Sequence, residues 1–353
     1  MKYGIFILFI GLSVIMFSCT DPANLLYSEY KVFPQEERLY GKEIPIDTVL
    51  FRYPFRITVK DSVAIVMDLH NMDHYLHAFM YPTWEPIASF GHRGNAPDEL
   101  LSADNIQFVS LDSLWVLDAN KMQITRWSIQ PYAKIAEQVE VIELADELIR
   151  SLDFHVVDSG FYVTDYSGRH RLWRVDRSGK PIQAIGAIPT VKDNWGVSPP
   201  ALAQAWRSFM DYNPTVGLLV MATQLGEVLE VYNVRKNTQN VLYGPKGEPQ
   251  FITDGGEHSA PTGIKGFSDV KITDHYIYAV FQGVSFKDKY NAFSRGTRLE
   301  DGGRFIYVFD LECNPVKKYI LNHAIYGIDV NEETKTIIAT KVDSDSPLLE
   351  FKM

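Results

Sequence analysis

Two cysteines, Cys19 and Cys313, are all the chain has in 353 residues. No Cys-x-x-Cys pair exists, which removes zinc ribbons and thiol–disulfide exchange, and the count is too low for a disulfide scaffold. After residue 19 no apolar run approaches the roughly 20 residues of a membrane-spanning helix. Positive charge is also scarce. The 34 Lys and Arg against 44 Asp and Glu leave a net charge of −10, whereas nucleic-acid and polybasic membrane surfaces need clustered cations. No nucleic-acid partner is expected. The catalytic signatures Gly-x-Ser-x-Gly, His-Glu-x-x-His and Gly-x-x-x-x-Gly-Lys-Ser/Thr are missing, as is a paired-glycine nucleotide loop. Gly244-Pro-Lys-Gly247 has only the composition of a phosphate loop and reads as a turn. At 46% hydrophobic and 13% aromatic residues, what remains is a globular protein with ample core.

The first 19 residues have the layout of an export signal. Lys2 supplies the positive start, Ile5 to Met16 is nearly all apolar, and Met16-Phe17-Ser18-Cys19 ends it. A cysteine directly after a small residue at that point has the form of a bacterial lipobox, so residues 1–18 are read as signal peptide and Cys19 as the lipidated residue. An ordinary cleaved signal or a short anchor helix is the other reading. Residues 19–27 are then a tether, and the folded part lies in the cell envelope, anchored to the outer membrane on its periplasmic or surface face. With Cys19 acylated, Cys313 has no partner and is expected as a small buried residue on a strand.

The remainder repeats. Apolar alternation up to a polar turn recurs at Asp61–Asp68, Asp112–Asp118, Ser159–Asp165, Gly217–Ala222, Asp274–Val280 and Thr334–Ala339. The copies start about 46 to 60 residues apart, the range for four-stranded propeller blades. Residues 28–353 are therefore expected to form an all-β, six-bladed β-propeller of four-stranded antiparallel blades. The last copy is one strand short, and a strand from residues 28–50 would complete it and close the ring, removing an exposed edge. Two interruptions stand out. Residues 201–210 have helical propensity between blades three and four, and residues 283–303 read as a long polar and aromatic loop in blade five.

Candidate functional groups fall in three places. Asp68, Asp118 and Asp165 end the second strand of successive blades, where a carboxylate fixes a turn by accepting backbone N–H bonds; a ring of cation ligands is the sharper alternative. His70, His74 and His77 cluster in sequence, but strand alternation would send His74 and His77 to opposite sides. The innermost strands carry Arg56, Gln107, Asp153, Asp269 and Asp329, followed two residues later by Thr58, His155 and Lys271, with apolar residues between. Alternation puts these on one polar face around the central channel. Arg56, Gln107, Asp153, His155, Asp269, Lys271 and Asp329 are thus candidate ligand-binding residues, or else partners of one another. Oxygen donors there could also take Ca²⁺; no other cofactor is expected.

Tyr162-Val-Thr-Asp165 and His170-Arg-Leu-Trp-Arg-Val-Asp176 look like NHL-type repeats. With Cys19, Phe90-Gly-His-Arg-Gly-Asn-Ala-Pro-Asp-Glu-Leu100, the segment Gly266–Gly283 and Phe305-Ile-Tyr-Val-Phe-Asp310, the chain resembles the TolB-like six-bladed propeller lipoproteins of Bacteroidetes. The resemblance implies fold and envelope location and transfers no catalytic residue. The functional expectation is a monomeric, non-catalytic scaffold that binds an envelope protein, a peptide or a glycan. Aromatic residues of the two inserts, Trp195, Trp206, Phe286, Tyr290 and Phe293, would supply contact area or pack against the ring. The alternative is a divalent-metal-dependent hydrolase or lactonase using channel carboxylates.

Overall fold

Each blade's second strand is a run of consecutive buried apolar residues, and because side chains alternate, such a strand must be covered on both faces. The computed structural model describes residues 24–46, 51–342 and 344–353; residues 1–18, read from sequence as signal peptide, and Cys19 lie outside them. Blade 1 comprises Pro54–Lys60, Val63–Asp68, His74–Met80 and Pro86–His92. Blade 2 comprises Asn105–Ser110, Ser113–Asp118, Gln123–Gln130 and Ile135–Glu143. Blade 3 has Phe154–Val157, Gly160–Thr164, Leu172–Asp176 and Pro181–Ile185. Blade 4 has Ser208–Asn213, Leu218–Thr223, Val228–Asn233 and Thr238–Tyr243. Blade 5 has Phe267–Ile272, Tyr276–Phe281, Gly303–Asp310 and Pro315–Ile325.

The core lies between the blades. In blade 5, Ile277, Ala279 and Phe281 join the cluster that reaches blade 4, while Tyr278 and Val280 pack toward blade 6. Trp115 and Leu117 meet Phe161 and Val163 across blades 2 and 3, and Tyr162 and Leu172 meet Leu219 and Met221 across blades 3 and 4. Ile338 and Leu348 of blade 6 meet Val66 and Phe79 of blade 1. That last contact closes a ring of six sheets: a six-bladed β-propeller, as the repeat count implied.

Blade 6 contributes Ile328–Asn331, Thr336–Thr340 and Leu348–Lys352 from the end of the chain. Its fourth strand is Lys42–Glu43, antiparallel to Leu349–Glu350, so the expected closure by an N-terminal strand is present. The start of the chain does more than that. Asn24–Glu29 pairs in parallel with the outer strand of blade 4, and Glu36–Leu39 in parallel with that of blade 5, making both sheets five-stranded. Residues 24–27, read from sequence as tether, therefore belong to a strand. Hairpin turns reveal antiparallel neighbours, and nothing in local sequence announces a parallel partner 214 or 282 residues away, as for Asn24 with Thr238 and Glu36 with Lys318. Glu37 pairs with Lys317 at 2.9 Å, and Glu36 with Lys318.

Both interruptions are helical. The first helix, α1, is Pro199–Ala205, shorter than the expected 201–210. Ser198 caps it by accepting the Ala201 N–H, and Ser208 already pairs with Thr223 as the inner strand of blade 4 begins. The second helix, α2, is Phe286–Ser294, where a loop was expected; Ser285 Oγ accepts the Asp288 N–H at 3.0 Å. Cys313 is buried as expected, but it sits at φ 70° in the turn before the last strand of blade 5, not on a strand. Burial pushes its thiol up to about 12.

The repeated aspartates fix turns and more. Asp68 accepts the N–H groups of His70 and Asn71 in its own turn, and those of Arg52 and Tyr53 in the segment entering the blade. Asp118 does the same with Lys121, Leu101 and Ser102, and Asp165 holds Ser167 and His170. Each carboxylate ends a second strand at the rim where the next first strand begins. We call this rim the upper face.

Candidate functional site

The inner strands bring most of the predicted polar residues together around the channel, where they bind to one another's backbones. Asp153 accepts the Phe154 N–H at 2.7 Å, the Met210 N–H of blade 4 at 2.8 Å, and Asn105 Nδ2. Asp269 accepts Val270 N–H at 2.9 Å and Ile328 N–H of blade 6 at 2.8 Å. Asp329 accepts the N–H of Val330 and, from blade 1, that of Val59. Gln107 donates to the Phe154 carbonyl at 3.3 Å. Asp211, not anticipated from sequence, supplies blade 4's member: it accepts the Ile272 N–H at 2.9 Å and lies 3.3 Å from His155 Nε2.

These inter-blade bonds sort the groups into two tiers, and the sequence register was one step off for two of them. Arg56, Asn105, Asp153 and Asp269 form the upper tier. Gln107 and Asp329, grouped from sequence with the upper set, belong with Thr58, His155, Asp211 and Lys271 below. Counting back from a hairpin loses two residues wherever the first strand differs in length. Asp211 and Asn105 carried a readable signal, since each keeps the same alternation.

Electrostatics in the ring follow burial and neighbours. Burial raises Asp153 to about 7 against its hydrogen bond from Asn105, and raises Asp329 to about 6 against the attraction of Lys271. Burial opposes ionisation of Asp211 too, yet Lys271 and His155 outweigh it and leave that group lowered. For Lys271, burial is outweighed by Asp211, Asp269 and Asp329, and its value is raised. Arg56 closes the upper end. Its guanidinium lies between the Phe55 and Phe209 rings, 4.0 and 4.1 Å from their centroids, and 3.7 Å from Asp269. With their oxygens committed to backbone amides, these carboxylates do not favour the hydrolase reading. Among the described residues no group of three His, Cys, Asp or Glu could hold a metal ion.

The three clustered histidines diverge. His77 is buried, 2.9 Å from Ser89 Oγ, and burial pushes it down to about 4, so it is neutral. His74 meets the His92 ring, and His70 packs edge-on against Tyr53. The insert aromatics divide as well. Trp206 is buried in the core under α1, whereas Trp195, Tyr290 and Phe293 are exposed.

The upper face also carries a cavity of about 530 Å³ that sequence reading missed. Ala119, Asn120 and Met122 line it from blade 2, Ile149, Arg150 and Leu152 from the segment entering blade 3, Pro200 and Gln204 from α1. Tyr166 and Arg207 complete its inner wall, with Glu257 and His258 at the rim. Local chemistry places each wall. Asp165 shapes the turn that presents Tyr166. Gly168, at φ 74°, lets that turn approach α1: a Cβ there would lie 2.0 Å from the Pro199 carbonyl oxygen. Gln204 Oε1 accepts the Ser259 N–H at 2.7 Å and Ser198 Oγ donates to the Gly256 carbonyl at 2.7 Å, which anchors the rim loop. Two polar atoms of these lining residues, Tyr166 Oη and Arg207 Nε, are buried without a hydrogen-bond partner. Burial, the largest influence, holds the Tyr166 hydroxyl neutral. No run of similar residues marks this site, because its walls come from segments 85 residues or more apart in places (Met122 and Arg207, for example).

Comparison with known proteins decides the family. The chain matches the TolB-like 6-blade propeller-like family over residues 33–333. It belongs to that family. Among solved structures it is similar to the "Putative exported protein" of Bacteroides fragilis NCTC 9343, with TM-score 0.56 and 10% identity over 94% of this chain and 99% of that one. It is also similar to a DUF4221 family member from Bacteroides vulgatus, with TM-score 0.53 and 9% identity over 89% and 95%. At such identities the likeness is one of fold. No curated protein matches the chain.

Proposed function

We propose that this TolB-like propeller is an exported, lipid-anchored binding protein that holds an envelope protein, peptide or glycan through the cavity beside α1, without chemical turnover. One observation carries the reading: the cavity is large enough for a ligand group and is lined by Tyr166 and Arg207, each of which keeps a buried polar atom without a partner, while the channel carboxylates are occupied within the fold. The lipobox-like end of the first 19 residues and the Bacteroides fragilis "Putative exported protein" of the same fold support location in the envelope. Among the described residues no helix is long and apolar enough to cross a membrane.

The anchor bears on presentation. Asn24 pairs with Thr238, where the outer strand of blade 4 starts, at the lower end of the ring. The four residues from Thr20 to Ala23 reach at most about 14 Å. A lipid on Cys19 would hold the lower face to the bilayer and leave the cavity facing away.

Two measurements test this. Acyl-chain labelling of the full chain should be lost in Cys19→Ser. Lipid-free protein should be thermally stabilised by one class among envelope-derived peptides and oligosaccharides, and Ala119→Trp, which fills the cavity, should abolish the shift. Unchanged labelling in Cys19→Ser defeats the anchor, and binding indifferent to Ala119→Trp defeats the site.

A further inference from the structure

The charges around the cavity are all accounted for except one. Arg171, behind Tyr166, is neutralised by Glu230 at 2.6 Å. Asp104 accepts Ser102 Oγ at 2.6 Å and the Ala119 N–H at 2.9 Å. Asp153 is held by its three donors. At the rim Arg150 lies 3.5 Å from Glu257, with His258 beside it. Arg207 has no ion pair or side-chain hydrogen bond with the described residues, and its Nε is buried. An unmet buried donor on a permanent cation is costly, and because Arg207 lines the cavity, its guanidinium is where an entering acceptor would bind.

We infer that the cavity receives an organic carboxylate, with Arg207 and Tyr166 holding the carboxylate and its apolar body lying along Met122, Ile149, Leu152 and Pro200. This rests on the binding reading above. A single cation suits a singly charged anion, whereas a phosphate dianion would bring more charge than the wall can balance. The guanidinium fork and a phenol hydroxyl together match the planar geometry of a carboxylate. The apolar residues opposite, of which Ile149 and Leu152 are exposed, suit a hydrocarbon body better than a bare inorganic ion.

Titration with paired probes tests the assignment. N-acetyl-leucine against N-acetyl-leucinamide represents a peptide terminus, and glucuronate against glucose represents an acidic sugar. Binding is followed by methyl NMR of Met122 and Ile149 in the lipid-free protein. At least one acid should bind at millimolar concentration or below and its neutral counterpart about tenfold more weakly. Arg207→Gln should erase that preference, Arg207→Lys should keep part of it, and Tyr166→Phe should weaken the acid alone. The pair that responds identifies the source. Equal binding of acid and neutral forms, no response to either acid, or a preference surviving in Arg207→Gln overturns the inference. If envelope ligands still bind and Ala119→Trp alone abolishes it, the carboxylate assignment falls while the binding site stands.

Discussion

Replacing Glu230 by Gln should be among the most damaging single changes in this protein, although it alters no shape. Glu230 is 0% exposed and accepts from three side chains. Arg171 Nε reaches both of its oxygens at 3.0 and 3.1 Å, and Arg171 Nη2 lies at 2.6 Å. Tyr232 Oη donates at 2.9 Å and Gln239 Nε2 at 3.2 Å. Arg171 belongs to blade 3 and Glu230 to blade 4, so the pair locks an inter-blade seam. Removing the carboxylate charge strands a buried guanidinium whose other side-chain partner is Ser208 Oγ at 2.7 Å. Breaking one half of a buried pair costs about 3–5 kcal/mol. For a domain of this size that lowers the melting temperature by about 6–10 °C, taking about 2 °C per kcal/mol. Urea denaturation at neutral pH, repeated at low and high salt, is the assay; the loss should be insensitive to salt because the pair is buried. Arg171→Met combined with Glu230→Gln should lose less than the sum of the single changes, with a coupling of about 2–3 kcal/mol. A loss under about 1 kcal/mol in Glu230→Gln, or strict additivity in the double variant, would refute the reasoning.

Asp118→Ala removes bonds to the N–H groups of Leu101, Ser102 and Lys121 and to Ser102 Oγ; it should cost about 2–4 kcal/mol by chemical denaturation, far above an exposed turn residue. Stability should also depend on pH through Asp329, whose folded value is raised to about 6. The native state then binds more protons than the unfolded chain, so this contribution is present below about pH 4 and lost as pH rises to 6; subtracting the Asp329→Asn denaturation profile should expose that fall. Asp301 works in the opposite sense. Burial opposes its ionisation, but Lys265, Lys289 and Tyr53 hold it down to about 2, so its contribution is present above about pH 4 and lost on acidification toward 2, and acid unfolding of Asp301→Asn should begin from a lower stability but lack that loss. Finally, a chain beginning at residue 51 leaves the outer edges of blades 4, 5 and 6 uncovered and should self-associate on size-exclusion chromatography; a stable monomer would show that the N-terminal strands are dispensable.

Short-range pattern was enough to read six repeats, the hairpin aspartates and the missing strand of blade 6, because each is written in neighbouring residues. A turn carboxylate such as Asp118 accepts the Lys121 N–H within its own turn, and the apolar run of Ser113–Asp118 is the same in isolation as in the ring. Length differences between first strands blurred the tiers at Gln107 and Asp329. The α2 segment was read as loop because its polar, exposed residues give no apolar stripe, although Ser285 and Asp288 carry a capping signal in plain view.

Sequence alone determined the blades, since alternation and turn chemistry are local and survive in any context. Tertiary structure decided where the chain's start runs and what becomes of each polar group. Parallel pairing of Asn24–Glu29 with Thr238–Tyr243 joins segments that share no turn. Whether a channel aspartate faces a ligand or the amide of the next blade depends on the spacing between sheets, which no single strand encodes. The cavity is the clearest case: Tyr166 and Arg207 are unremarkable in their own segments, and their unmet hydrogen bonds arise only when blade 3, α1 and the rim loop are brought together.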